Sequence, residues 1–95
     1  MDRRTRIGMV GDEETLFGFL IAGIENTNEN PNLVYVTYDT PEEDLRKSFR
    51  ALTSRDDLAM ILICDFVAER IEDDVSKYKE TIPAILIIPS KCKRT

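Results

Sequence analysis

The chain has 95 residues, enough for one domain with one core and too few for two. Its composition, 42% hydrophobic and 33% charged, is that of an ordinary globular protein. A net charge of -5 would repel a phosphate backbone and argues against nucleic acid as a partner.

In chain order, Arg6-Ile-Gly-Met-Val-Gly11 reads as a first strand. Asp12-Glu-Glu-Thr-Leu then opens a helix expected to run to about Ile24, its leading acids suiting the positive end of the helix dipole. Leu16, Phe17, Phe19, Leu20, Ile21 and Ile24 cover more than one stripe of that helix, with Gly18, Ala22 and Gly23 interleaved. The simplest expectation is burial against the sheet and a neighbour; the alternative is more than one packing partner. Positions 26–32 hold four Asn and one Pro without periodicity, so a mobile loop is expected there. Leu33 to Tyr38, β-branched and aromatic, reads as a second strand. Thr40-Pro41-Glu42-Glu43 carries the marks of a capping box, and Leu45, Phe49 and Leu52 give the next helix one apolar stripe.

Ser54-Arg-Asp-Asp57 is a polar turn, and Leu58 to Cys64 is unbroken apolar sequence. A strand apolar on both faces belongs in the middle of a parallel sheet covered by helices. Asp65 is placed to cap a third helix with the stripe Val67, Ile71, Val75 and Tyr78. Ala84 to Ile88 is a fourth strand, bounded by Pro83 and Pro89. Strands alternating with helices in this way imply right-handed βαβ units. The expected fold class is α/β: a four-stranded parallel open sheet, order 2-1-3-4, doubly wound with helices on both faces. All 95 residues form a single domain in this reading. The fourth strand then lies at an edge although Ile85 to Ile88 is wholly apolar; either a partner or a further segment covers it, or the nearby helices cover both faces and Pro83 and Pro89 shorten the exposed edge.

No run approaches the roughly 20 apolar residues that cross a bilayer. Met-Asp-Arg-Arg at the start lacks the apolar core of a signal peptide, so a cytoplasmic location without direct membrane insertion is expected. Arg3, Arg4 and Arg6 open the chain and Lys91, Lys93 and Arg94 close it; basic ends of this kind are either solvated termini or contacts for an acidic partner.

The chain has no histidine, which removes the usual general base and the commonest zinc ligand. Cys64 and Cys92 lie far apart with no CxxC pair, so no metal site is expected, and Cys64 reads as a small buried hydrophobe. No catalytic residue and no cofactor are assigned. A dinucleotide site needs G-x-G-x-x-G, whereas Gly8-x-x-Gly11 is followed at once by Asp12, Glu13 and Glu14, which would repel phosphate. The rival reading is a receiver-like phosphoacceptor domain, for which Asp12, Glu13, Asp65 and Lys91 superficially qualify. The chain stops before the fifth strand and helix such a domain needs, and helix capping alone explains Asp12 and Asp65.

Four blocks together resemble the family of V-type ATPase F subunits. They are Gly11-Asp-Glu-Glu-Thr-Leu-Phe-Gly-Phe-Leu-Ile-Ala-Gly-Ile24, Arg55-Asp-Asp-Leu-Ala-Met-Ile-Leu-Ile63, Val67-Ala-Glu-Arg-Ile71 and Ile82-Pro-Ala-Ile-Leu-Ile-Ile-Pro-Ser-Lys91. The likeness runs from about residue 7 to 91, in order and at matching spacing, and is to the eukaryotic branch. It implies a non-catalytic rotor component in the central stalk of the peripheral sector, on the cytosolic face of vacuolar or other endomembranes. Such a component binds the coiled-coil D subunit and neighbouring stalk subunits, turns as ATP is hydrolysed elsewhere and couples hydrolysis to proton transport. Candidate partner contacts are Asn26, Asn28 and Asn30 in the loop, Arg55, Asp56 and Asp57 in the turn, and Ile85, Ile87, Ser90 and Lys91 at the sheet edge. Cys64-Asp65 stands where the family tends to have Asn-Gln, and Ile87 where it has an acid. Members of the family usually continue past Ser-Lys into a C-terminal tail and helix; this chain ends at Thr95 and is expected to lack that tail.

Overall fold

A computed structural model describes residues 5–26 and 31–90. Eight elements follow one another: β1 (Arg6–Gly11), α1 (Glu13–Ile21), β2 (Leu33–Tyr35), α2 (Glu42–Thr53), β3 (Leu58–Cys64), α3 (Asp65–Arg70), α4 (Glu72–Lys77) and β4 (Ala84–Ile88). The sheet is wholly parallel, in the order β2-β1-β3-β4. The apolar run Leu58 to Cys64 takes an inner place, as a strand that must be buried on both faces requires.

Register and strand alternation sort the sheet's side chains into two faces. Gly8 pairs with Ile61, Val10 with Ile63, and Ile63 with Ile87, which places these residues on one face. Ile7, Met9, Met60, Leu62, Cys64 and Leu86 lie on the other. The second face carries α1, because its capping Asp12 reaches the Cys64 thiol, Sγ to Oδ1 3.5 Å. The right-handed crossovers β2-α2-β3 and β3-α3-β4 place the remaining helices on the first face. There Phe49 of α2 stacks edge-on against Tyr78, with ring centroids 6.1 Å apart. Arg46 of α2 also bonds Asp73 of α4 at 2.8 Å.

The core is built from Met9, Val10, Leu16, Leu45, Phe49, Leu52, Ile61, Ile63, Phe66, Val67 and Ile71, among others. At about 25 cal/mol for each Å² of apolar surface removed from water, side chains of this size supply most of the folding force. Gly11 is required by close approach: a Cβ there would collide with Cys64 Sγ.

Several local expectations give way to specific chemistry. α1 stops at Ile21 rather than near Ile24, because Gly23 takes φ +105°, a left-handed conformation that ends helices. β2 ends at Tyr35 rather than Tyr38. Beyond it the backbone is captured by side chains, Thr37 N donating to Thr40 Oγ1 at 2.8 Å and Asp39 N to Thr37 Oγ1 at 3.1 Å. That use of Thr40 removes it from the start of α2, whose capping residue is Pro41 with no side-chain bond, so the capping box does not form. The third helix is broken at Ile71 (φ -122°, ψ 35°) into α3 and α4, yet its stripe survives: Val67 and Ile71 are buried, and Val75 and Tyr78 pack partly against the core. α3 begins on Asp65 itself, not after it.

Candidate partner-binding surfaces

Ligands of open parallel sheets sit at the carboxyl ends of the strands. Here Asp12 and Asp65 are tied into the fold, while Glu13 of the receiver-like set is exposed. Asp12 is buried and caps α1, its Oδ2 accepting from Thr15 N (3.1 Å) and its Oδ1 from Thr15 Oγ1 (2.7 Å). Burial pushes its pKa up, but the Thr15 hydroxyl, the Thr15 amide and the Cys64 thiol outweigh this and hold it below the ordinary carboxylate value. Cys64 is a buried free thiol, and burial pushes its pKa up to about 11. It stays protonated near neutral pH and is a poor nucleophile. Asp65 Oδ1 accepts from Phe66 N at 2.8 Å and from Ser90 N at 3.3 Å, fastening the end of β4 to the start of α3. Among the described residues no three of His, Cys, Asp and Glu are grouped to hold a metal ion. A phosphoacceptor reading would need Asp12 to present oxygens that Thr15 and Cys64 already occupy.

The opposite rim gathers four of the candidate contact residues, Asn26, Arg55, Asp56 and Asp57. Arg55 grips Asp57 with two parallel bonds, Nε to Oδ1 at 2.9 Å and an Nη to Oδ2 at 2.7 Å, and its other Nη reaches Pro31 O at 2.8 Å. Arg55 holds Asp57 below its ordinary pKa mainly through those bonds. Asn26 Oδ1 accepts from Asn32 N (3.0 Å) and Leu33 N (3.1 Å). Asn32, fully buried, donates to Ile7 O at 2.7 Å and Glu25 O at 2.8 Å. Both ends of the Asn-rich loop are therefore pinned, where composition alone suggested mobility; Asn28 and Asn30 lie outside the described residues. Asp56 is exposed between the pinned pair. Beside this rim, Thr5, Arg6, Ile7, Gly23, Ile24 and Glu25 line a cleft of about 340 Å³.

The remaining candidates lie at the far edge of the sheet. Ile85 is half-buried, Ile87 is 56% exposed, and Ser90 is half-buried through its tie to Asp65. Among the described residues no strand pairs with the outer side of β4, so its backbone donors and acceptors are open there. Lys91 lies outside the described residues, as do Arg3, Arg4, Cys92, Lys93 and Arg94.

One surface was only half signalled by the sequence. Of α1, only Thr15 and Leu16 are buried, so the expected burial of this helix against sheet and neighbour is incomplete. Phe17 (62% exposed), Leu20 (44%) and Ile21 (73%) stand outward at i, i+3 and i+4. Tyr35 (56%) and Leu86 (45%) are exposed on the same face of the sheet. The breadth of apolar sequence from Leu16 to Ile24 was the available signal.

The fold is of the doubly wound α/β class, with Asp12 and Asp65 at its rim engaged as structure and apolar side chains left outward. The family model described as "ATP synthase (F/14-kDa) subunit" matches residues 7–95. The F subunit of the human V-type proton ATPase is 40% identical over 87 residues, covering 90% of this chain and 73% of the human one. The protein of the same name from Vanderwaltozyma polyspora is 41% identical over 96 residues, covering 96% of this chain and 81% of its own. A probable V-type proton ATPase F subunit of Caenorhabditis elegans is 38% identical over 87 residues. The chain belongs to the family of V-type ATPase F subunits, which are accessory rather than catalytic. Among the described residues no helix is long and apolar enough to cross a membrane.

Proposed function

We propose that this chain is a central-stalk component in the peripheral sector of a V-type proton ATPase, where it binds the coiled-coil D subunit and turns with it. ATP hydrolysis on other subunits is thereby coupled to proton transport, and the chain itself performs no chemistry. It sits on the cytosolic face of the membrane, held there by its neighbours.

The observation that carries this reading is the sustained identity to V-type ATPase F subunits across nine-tenths of the chain. The open, apolar β4 edge supports it: an exposed edge of this kind is normally blunted or covered. Among the candidate contacts, Ile85, Ile87 and Ser90 at that edge are assigned to direct contact, and Lys91, Asn28 and Asn30 are proposed as contacts from sequence alone. Asn26, Arg55 and Asp57 already bond within the chain, so their part is to hold the shape of the rim that Asp56 belongs to.

Size-exclusion chromatography and calorimetry of the full chain with purified D subunit test the proposal. A one-to-one complex at micromolar concentration, weakened by Ile87→Ser, is the expected result. Absence of any complex in that range contradicts it.

A further inference from the structure

Exposed apolar area is concentrated on one side of this molecule. The α1 face carries Phe17, Leu20 and Ile21 outward, neighbours by helix spacing, with Tyr35 and Leu86 exposed on the same face of the sheet at its two edges. Large exposed apolar patches mark places where another chain docks. The charges on α1 itself have one sign. Glu13 and Glu14 are exposed at its start and the helix has no basic residue; beyond its end the exposed Glu25 shares a cleft with Arg6.

We propose that the α1 face docks a basic amphipathic helix of a neighbouring subunit. The apolar stripe of that helix covers Phe17, Leu20 and Ile21, and its flanking Lys or Arg side chains pair with Glu13 and Glu14. The inference rests on the stalk reading above and adds to it the face, the anchor residues and the charge of the partner. Charge complementarity selects this occupant. A second copy offers α1 no basic residue to pair with Glu13 and Glu14, and two chains of net charge -5 would repel. A basic helix meets the same carboxylates with opposite sign and gains on-rate as well as register. Aromatic and aliphatic anchors at the centre with charges at the rim is the anatomy of a specific interface.

The test titrates the full chain into purified D subunit at two salt concentrations. The variant Phe17→Ser/Ile21→Ser removes exposed side chains only, so its melting temperature is expected to stay within a few degrees of the parent. Its affinity should fall at least about tenfold, while Lys47→Ser on the opposite face leaves affinity unchanged. Glu13→Gln/Glu14→Gln should weaken binding several-fold and flatten its salt dependence. Unchanged binding by Phe17→Ser/Ile21→Ser, with the parent binding normally, overturns the inference and leaves the stalk reading standing. No binding by the parent overturns the stalk reading and this inference with it. Self-association of the parent that the double variant abolishes assigns the face to a second copy and also overturns the proposal.

Discussion

The two faces of the sheet solve the burial problem differently. On one, α2, α3 and α4 cover the strands and turn charge outward; Arg46 alone joins Glu42 (3.2 Å), Asp73 (2.8 Å) and Asp74 (3.3 Å). On the other, α1 is the one helix among the described residues; it seats Leu16 and part of Phe19 on the strands and leaves Phe17 and Ile21 exposed. Among the described residues the first face is finished except at β4, where Ile87 stays exposed. The second is stable without being finished, since its inward stripe and the Asp12 cap hold α1 down while the outward stripe contributes nothing to the fold. Apolar area that folding does not bury is available for binding, and this asymmetry separates the part of the molecule that sustains it from the part that meets a neighbour.

The sharpest way to break this comparison is a matched pair of truncations. Phe49→Ala on the finished face, a buried side chain packed with Tyr78, should cost about 3–5 kcal/mol in urea denaturation. Phe17→Ala on the open face should fall within about 0.5 kcal/mol of the parent. Equal losses would mean that the outward stripe is structural after all. Gly11→Ala sits between the two faces in effect. Its new Cβ meets Cys64 Sγ, and a loss of about 1–3 kcal/mol is expected. Combining it with Cys64→Ala should recover part of that loss, read as non-additivity in the same denaturation series.

Asp12→Ala tests what holds α1 down and should cost about 1 kcal/mol at neutral pH. Its pH dependence has a definite sign. The folded-state pKa of Asp12 lies below the ordinary 3.8, so the carboxylate's contribution is complete above that value and fades as pH falls through the lower, folded value. The difference between Asp12→Ala and parent should therefore persist at pH near 5 and shrink once the pH passes below 3.8. The smallest expected effect belongs to Arg46→Ala. Its partners Glu42 and Asp73 are exposed, and the mostly buried Asp74 keeps Arg50 at 3.3 Å, so the loss should be about 1 kcal/mol or less and smaller at high salt, measured by thermal melts at two ionic strengths.

How much of this was legible in the residues depends on what each feature obeys. Strands β1, β3 and β4 carry their apolar runs in the sequence and fall where those runs lie. The sheet order is the usual one for a doubly wound arrangement, and the face each helix takes follows from the handedness of βαβ units. The end of β2 was not legible, because Thr37 and Thr40 bond each other's backbone and side chain instead of continuing the ladder or capping α2. Nor was the Asn-rich segment: Asn32 looks like a loop residue, yet it is the buried tie between Ile7 and Glu25, a contact that depends on the fold already being in place. Asp12 as a helix cap could be read from its position alone. The outward stripe of α1 was visible as too many apolar residues for one helix face, but which of them point away from the sheet is fixed only by the seating of Thr15, Leu16 and Phe19.

Hydroxyl-radical footprinting of the chain, free and bound to purified D subunit, probes the division between the two faces most directly because it reads the exposure of individual side chains. Phe17, Leu20, Ile21 and Tyr35 should lose reactivity on binding while Lys47 and Glu69 on the charged face keep theirs. Protection confined to the charged face, with Phe17 and Ile21 as reactive in the complex as in the free chain, would contradict docking through α1.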